Sequence, residues 1–235
     1  MNQPAPTPNP KIDLADVLQR FSSKVLWHFT GYNKSWDDAF RIQNEILQSN
    51  LLQVGKQSET IVMNSGQKRY GYSVACMCDI PFRDLRIHMV RYGLFGIAFF
   101  KHAAINTGNF NPVFYVHYEN PLFKRAEDLF KVIDPAIKED SAFNKSLNEY
   151  LRMIGSYVKR GDLNRIVEVN SEIDSSQSSN FYYEREWRTV FPWEFDDASV
   201  AAIMMPQRFL ADFQKRWGHR FVNSSIISSE MIETL

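Results

Sequence analysis

Apolar and polar positions repeat with two different periods along this chain, and each change of period marks an element. Residues 25–30, VLWHFT, form a short apolar run with aromatic and β-branched side chains; this predicts a strand, which Thr30-Gly31 ends. Ser35-Trp36-Asp37-Asp38 places a hydroxyl N-cap three residues before an acidic one. It opens a helix to about Ser49, with Ala39, Phe40, Ile46 and Leu47 on its apolar face, and residues 51–55 close it. Residues 73–77, SVACM, predict a buried strand that Cys78-Asp79-Ile80-Pro81 stops. Residues 82–92 read as a helix, with Leu85, Met89 and Tyr92 three or four apart, and residues 93–100, GLFGIAFF, as a second buried strand. A short helix near 101–106 leads through a GNFNP turn to a strand over 113–118.

Beyond residue 120 the character changes. Helical periodicity with many charges over 122–133 and 142–158 predicts a helical insertion at about 120–168, and 171–180 reads as a polar linker. Residues 181–190 then predict a strand, 200–205 a buried strand stopped by Pro206, 209–217 an amphipathic helix, and 221–227 a last strand. The polar stretch 56–72 fits either a mobile loop over a site or an exposed connection. This order predicts an α+β fold with a mixed or antiparallel sheet, not regular βαβ alternation. Residues 1–20, with four prolines in the first ten, predict a flexible leader and the start of a first helix over 12–22, with Asp13 or Asp16 near its start; residues 21–235 predict a single domain.

Composition narrows the classes. Lysine plus arginine equals aspartate plus glutamate, 27 each, so any surface for a polyanion has to be local. The chain carries only two cysteines, Cys76 and Cys78, which fits a reducing, cytoplasmic compartment. No run is long enough to span a bilayer, and the N-terminus lacks the basic and apolar regions of a signal peptide. Phosphate-loop, dinucleotide, zinc-protease and hydrolase motifs are absent, and C-x-C lacks the second pair that a structural zinc needs, so no metal is expected. Lys159-Arg160 and the group Arg208, Lys215, Arg216, His219 and Arg220 are local basic clusters, either solvated faces or a nucleic-acid surface.

The candidate chemistry lies in FYYEREWRTV, residues 181–190. Strict strand alternation sets Tyr182, Glu184, Glu186 and Arg188 on one face. Such a row is either an exposed edge strand or a pair of carboxylates lining a cleft. His28 stands near a strand end, where a following Thr-Gly lets a ligand approach the backbone. Alone it better suits a core or rim histidine satisfied by one hydrogen bond, and Tyr92-Gly93 a core aromatic.

Taken together, HFTG, CDIP with YG downstream, GIAF, NPVFYV and YEREWR make the chain resemble the AbiGi-type abortive phage-infection family over roughly residues 25–225, and more distantly the ADP-ribosyltransferase superfamily. The second resemblance implies a fold of split mixed or antiparallel sheets with a helical insertion and NAD+ as substrate. In it the H-F-T-G run, His28, Phe29, Thr30 and Gly31, binds the cofactor: His28 bonds the adenosine ribose, and the Thr30-Gly31 backbone grips the nicotinamide amide. Tyr92 stacks on the ligand, with Tyr70 and Tyr72 as alternatives. Glu186 holds the nicotinamide ribose, Glu184 orients or deprotonates the acceptor, and Arg188 binds pyrophosphate or pairs with a glutamate. The implied function is a phage-defence toxin that transfers ADP-ribose to a nucleic acid, RNA or DNA, and is paired with a cognate antitoxin or toxin protein. The alternatives are a protein ADP-ribosyltransferase, a NAD+ glycohydrolase, and a catalytically inactive antitoxin or binding module.

Overall fold

The computed structural model describes residues 23–56, 60–62, 68–116, 120–121, 125, 128, 142–160 and 185–233. The leader and first helix, residues 57–59 and 63–67, most of 117–141, and residues 161–184 lie outside that description.

The centre is the hairpin-like pairing of β1 (Val25–Phe29) with β6 (Gly96–Phe100), in antiparallel register from Val25 opposite Phe100 to Phe29 opposite Gly96. On one side β6 meets β12 (Val200–Met205), which pairs in parallel with β13 (Ser225–Ser228). On the other side β1 meets β5 (Ala75–Cys78), then β10 (Glu186–Thr189), then β7 (Asn111–Pro112). The described residues thus form one continuous seven-stranded mixed sheet, β13-β12-β6-β1-β5-β10-β7, where the resemblance implies split sheets. Three two-stranded ribbons accompany it. They pair β2 (Leu51–Leu52) with β11 (Trp193–Glu194), β3 (Thr60–Val62) with β4 (Lys68–Tyr70), and β8 (Phe114–Val116) with β9 (Val158–Arg160).

Both faces of the sheet are apolar, which is why the central strands read as unbroken hydrophobic runs. Leu26, Met77, Ile97, Phe99, Ile203 and Met205 form one core with α1 (Trp36–Ser49) and α5 (Leu210–Trp217). Trp27, Cys78, Ala98, Ala202 and Met204 form another with α2 (Leu85–Tyr92) and α6 (Ser229–Glu233). Between β6 and β7 lies α3 (Lys101–Asn106).

Local chemistry sets the helix ends. The Ser35 hydroxyl accepts from the Asp38 N–H, as the capping pattern predicts. Asn50 ends α1 in the left-handed region, φ 52°, and turns the chain straight into β2. Leu51 and Leu52 therefore pair with β11 instead of merely closing the helix. Pro81 and Pro206 end their strands and lead through short 3-10 turns into α2 and α5. Within the expected insertion, α4 (Ala142–Ser156) is a helix and residues 158–160 form a strand, where the pattern extended the helix to 158. The last strand starts at Ser225, not 221, because Phe221 is buried in the turn after α5 and its N–H bonds to Trp217.

Candidate functional site

The expected ten-residue strand 181–190 is a strand only over Glu186–Thr189 among the described residues. Arg185, immediately before it, has φ 41°, a left-handed conformation uncommon for a residue with a side chain. Glu184 itself lies outside the described residues.

Within β10 the alternation holds. Glu186 and Arg188 are both buried, on the face opposite Trp187. Glu186 is opposite Cys78 and Arg188 opposite Cys76, so β5 and β10 carry these four side chains on one face. Arg188 grips Glu186 with two nitrogens, Nε to Oε1 at 2.9 Å and Nη2 to Oε2 at 3.1 Å. Its third nitrogen donates to the Ser156 carbonyl at 2.6 Å, at the end of α4. Lys159 of β9 donates to Glu186 Oε2 at 3.0 Å. Burial by itself raises the pKa of the Glu186 carboxyl; the charges of Lys159 and Arg188, with hydrogen bonds from Arg188 and Cys76, outweigh it and hold the pKa down to about 2. The backbone of Glu186 is fixed as well, its N–H donating to the Tyr115 hydroxyl and its carbonyl accepting from Val113.

A second acidic residue anchors the same sheet end. Buried Asp79 accepts from the Ser23 N–H and from Lys101 Nζ at 2.8 Å, with an Arg185 nitrogen 3.6 Å away, and its own N–H donates to the Arg185 carbonyl. It therefore ties the start of β1, the start of α3 and the turn into β10 together.

His28 stands apart from this cluster. Trp27, Cys78 and Glu186 are aligned across three strands, and His28, one residue on, alternates to the face of Leu26 and Met77. A carbonyl only accepts, so the His28 Nδ1–H donates to the Cys76 carbonyl at 2.9 Å, leaving Nε2 as the acceptor of the neutral ring. Burial of the ring lowers its pKa, and the Cys76 bond opposes that only in part. Thr30 bonds within the fold: its N–H donates to the Phe95 carbonyl and its hydroxyl to the Ala39 carbonyl.

The structure does bring the HFTG and YG runs together. Gly31 and Gly93 pack backbone to backbone, and a side-chain carbon on Gly93 would lie 2.8 Å from the Gly31 Cα. Phe29, His88 and Tyr92 stack with centroids 6.0–6.4 Å apart, and Tyr32, absent from the sequence reading, adds a fourth ring 5.9 Å from Tyr92. The described residues place the sequence-derived site on two strands of one sheet. His28, Phe29, Thr30, Gly31 and Tyr92 belong to the β1 end, and Glu186 and Arg188 to an ion-paired cluster on β10. For Tyr70, only the backbone of β4 is described.

Sequence reasoning missed Lys159 as a partner of Glu186 because Lys159-Arg160 reads as a surface patch. The β8–β9 pairing helps carry it to β10. The later basic cluster is also divided. Arg220 is committed to Asp197, Asn50 and the Leu47 carbonyl, and Arg208 stacks on Trp36 and Phe209 at 4.4 and 4.6 Å. Among the described residues no group of three or more His, Cys, Asp or Glu side chains could hold a metal ion, and no helix is long and apolar enough to cross a membrane.

The depressed Glu186 pKa predicts an acid weakness. A carboxyl whose pKa is lower folded than unfolded adds stability above the unfolded value, 4.5, and that stability fades as pH falls toward the folded value. Urea unfolding of the wild type should lose on the order of 3 kcal/mol between about pH 5 and pH 2 through this group. Glu186→Gln should flatten that part of the curve.

A helix-flanked mixed sheet, with a buried ion-pair cluster at one end and an aromatic-glycine corner at another, defines an α+β protein built from one core sheet. Residues 53–215 match the family described as "Putative abortive phage resistance protein AbiGi, antitoxin", and the chain belongs to that family. The match includes β5, β10 and the Glu186–Arg188 cluster but begins after HFTG. No curated protein and no solved structure matches the chain, so the ADP-ribosyltransferase resemblance rests on the sequence motifs alone.

Proposed function

We propose that this chain is the antitoxin of an abortive-infection pair, a binding module that neutralises a cognate toxin. The observation that carries the reading is the state of Glu186. In a transferase this carboxylate has to face the ribose and steady the positive charge that develops as nicotinamide leaves. Here both of its oxygens are bonded inside the protein, one to Arg188 and the other to Arg188 and Lys159. That is the arrangement of a carboxylate that holds the fold together, and the antitoxin wording of the family agrees with it.

The second reading is a NAD+-dependent ADP-ribosyltransferase acting on a nucleic acid or a protein. The close packing of Gly31 on Gly93 beside the Tyr92 ring favours it, since such a corner suits a planar ligand. One experiment separates the two. The purified chain is incubated with radiolabelled NAD+ and with DNA, RNA and lysate, and in parallel is co-expressed with the toxin of its own locus. The antitoxin reading expects no nicotinamide release, no label in any pool, and restored growth. Label transfer or nicotinamide release by the wild type, lost in Glu186→Gln, overturns it.

A further inference from the structure

We infer that the outer face of α2, with the 3-10 turn before it, is the surface on which the toxin docks, and that it takes an acidic amphipathic segment of that protein; this rests on the antitoxin reading. Residues 82–92 are apolar on two sides. Leu85 and Met89 turn inward to the sheet and are buried, whereas Phe82, Ile87 and Val90 point outward and are 43%, 59% and 66% exposed. Exposed aliphatic and aromatic side chains opposite the buried face give the helix a second apolar strip.

The charges on the same face say what covers it. Arg83, Arg86 and Arg91 are all exposed there, and within residues 82–92 the one acidic residue is Asp84, beside Arg83. Arg83, Ile87, Val90 and Arg91 follow helical spacing, so two aliphatic side chains lie between arginines along one stripe. In a chain of zero net charge this is a local basic surface with an apolar centre. Nucleic-acid surfaces are basic and polar, with no call for exposed aliphatic side chains between the arginines. A protein segment carrying carboxylates on either side of apolar anchors matches both features.

The test uses the full chain and the purified toxin of its locus, with binding measured by calorimetry at low and high salt. The variants Arg86→Glu and Val90→Asp lie at exposed positions, and Lys215→Glu on the exposed side of α5 is the like-charge control. Each α2 variant is expected to weaken binding about 30-fold or more, with an unchanged unfolding midpoint, while Lys215→Glu leaves binding as it was. Wild-type binding is expected to weaken as salt rises. If the toxin binds the wild type and both α2 variants equally, the docking inference falls and the antitoxin reading stands. If the toxin does not bind the wild type at all, the antitoxin reading falls and the inference with it. If Arg86→Glu instead abolishes binding to duplex DNA, RNA or anionic vesicles and leaves toxin binding unchanged, the surface has another partner and the inference is overturned.

Discussion

Glu186→Ala is expected to lower the unfolding free energy by about 3–5 kcal/mol in urea titrations at pH 7. The substitution removes one partner of a buried ion pair. It takes from Arg188, 2% exposed at its side chain, the carboxylate that its Nε and Nη2 bond, and from Lys159 the same carboxylate. The cost is that of taking the carboxylate out of a buried charge cluster, not the net worth of the pair, which is small once two desolvations are counted. A paired exchange, Glu186→Leu with Arg188→Met, should therefore recover much of the loss even though it removes every hydrogen bond between the two residues. A Glu186→Ala variant as stable as the wild type would mean that the carboxylate is not held as described, and would reopen a role for it in a ligand site. The same result bears on activity measurements: a functional defect in Glu186→Ala is informative only alongside its stability, so Glu186→Gln, close in shape, is the better probe of chemistry.

Gly93→Ala is expected to cost about 2–4 kcal/mol. Gly93 ends α2 with φ 90° and ψ 177°, a region open essentially to glycine alone. Space forbids a side chain as well: the new carbon would lie 2.8 Å from the Cα and 3.0 Å from the carbonyl carbon of Gly31, both backbone atoms that cannot swing aside. Backbone strain and steric crowding have different signatures. If only backbone strain operated, the loss would stay local to α2. Because Gly93 also seats the turn after β1, the variant should additionally disturb the Tyr92–Tyr32 ring contact, visible in near-ultraviolet circular dichroism. A Gly93→Ala chain with wild-type stability would show that the Gly31–Gly93 contact is loose.

The elements of this fold were largely legible in the pattern of the chain. Hydrophobic runs at 25–30, 93–100 and 200–205 became the three central strands, because a strand covered on both faces has to be apolar throughout. The Ser35 cap, the stops at Pro81 and Pro206, and the α1 and α5 helices followed from local chemistry that needs no distant partner. The pairing of Arg188 with Glu186 was also within reach, since residues two apart on a strand share a face. Short strands were not legible. Leu51–Leu52, Asn111–Pro112 and Val158–Arg160 have too few residues to show a period, and exist because a partner strand lies alongside.

What only the tertiary structure decided is the meaning of the charged row. By itself, the sequence determined that Glu186 and Arg188 point the same way; it left open whether a cleft or the interior receives them. Lys159, 27 residues upstream, and the end of α4 close over the pair, and they are brought there by strand pairing between distant segments. The left-handed Arg185 bonds through its carbonyl to the Asp79 N–H, more than a hundred residues away, just before β10 begins. Local sequence fixes which face of an element a side chain takes, because that follows from backbone period. What that face meets is set by packing between distant parts of the chain, and that decides whether a carboxylate here binds a substrate or an arginine.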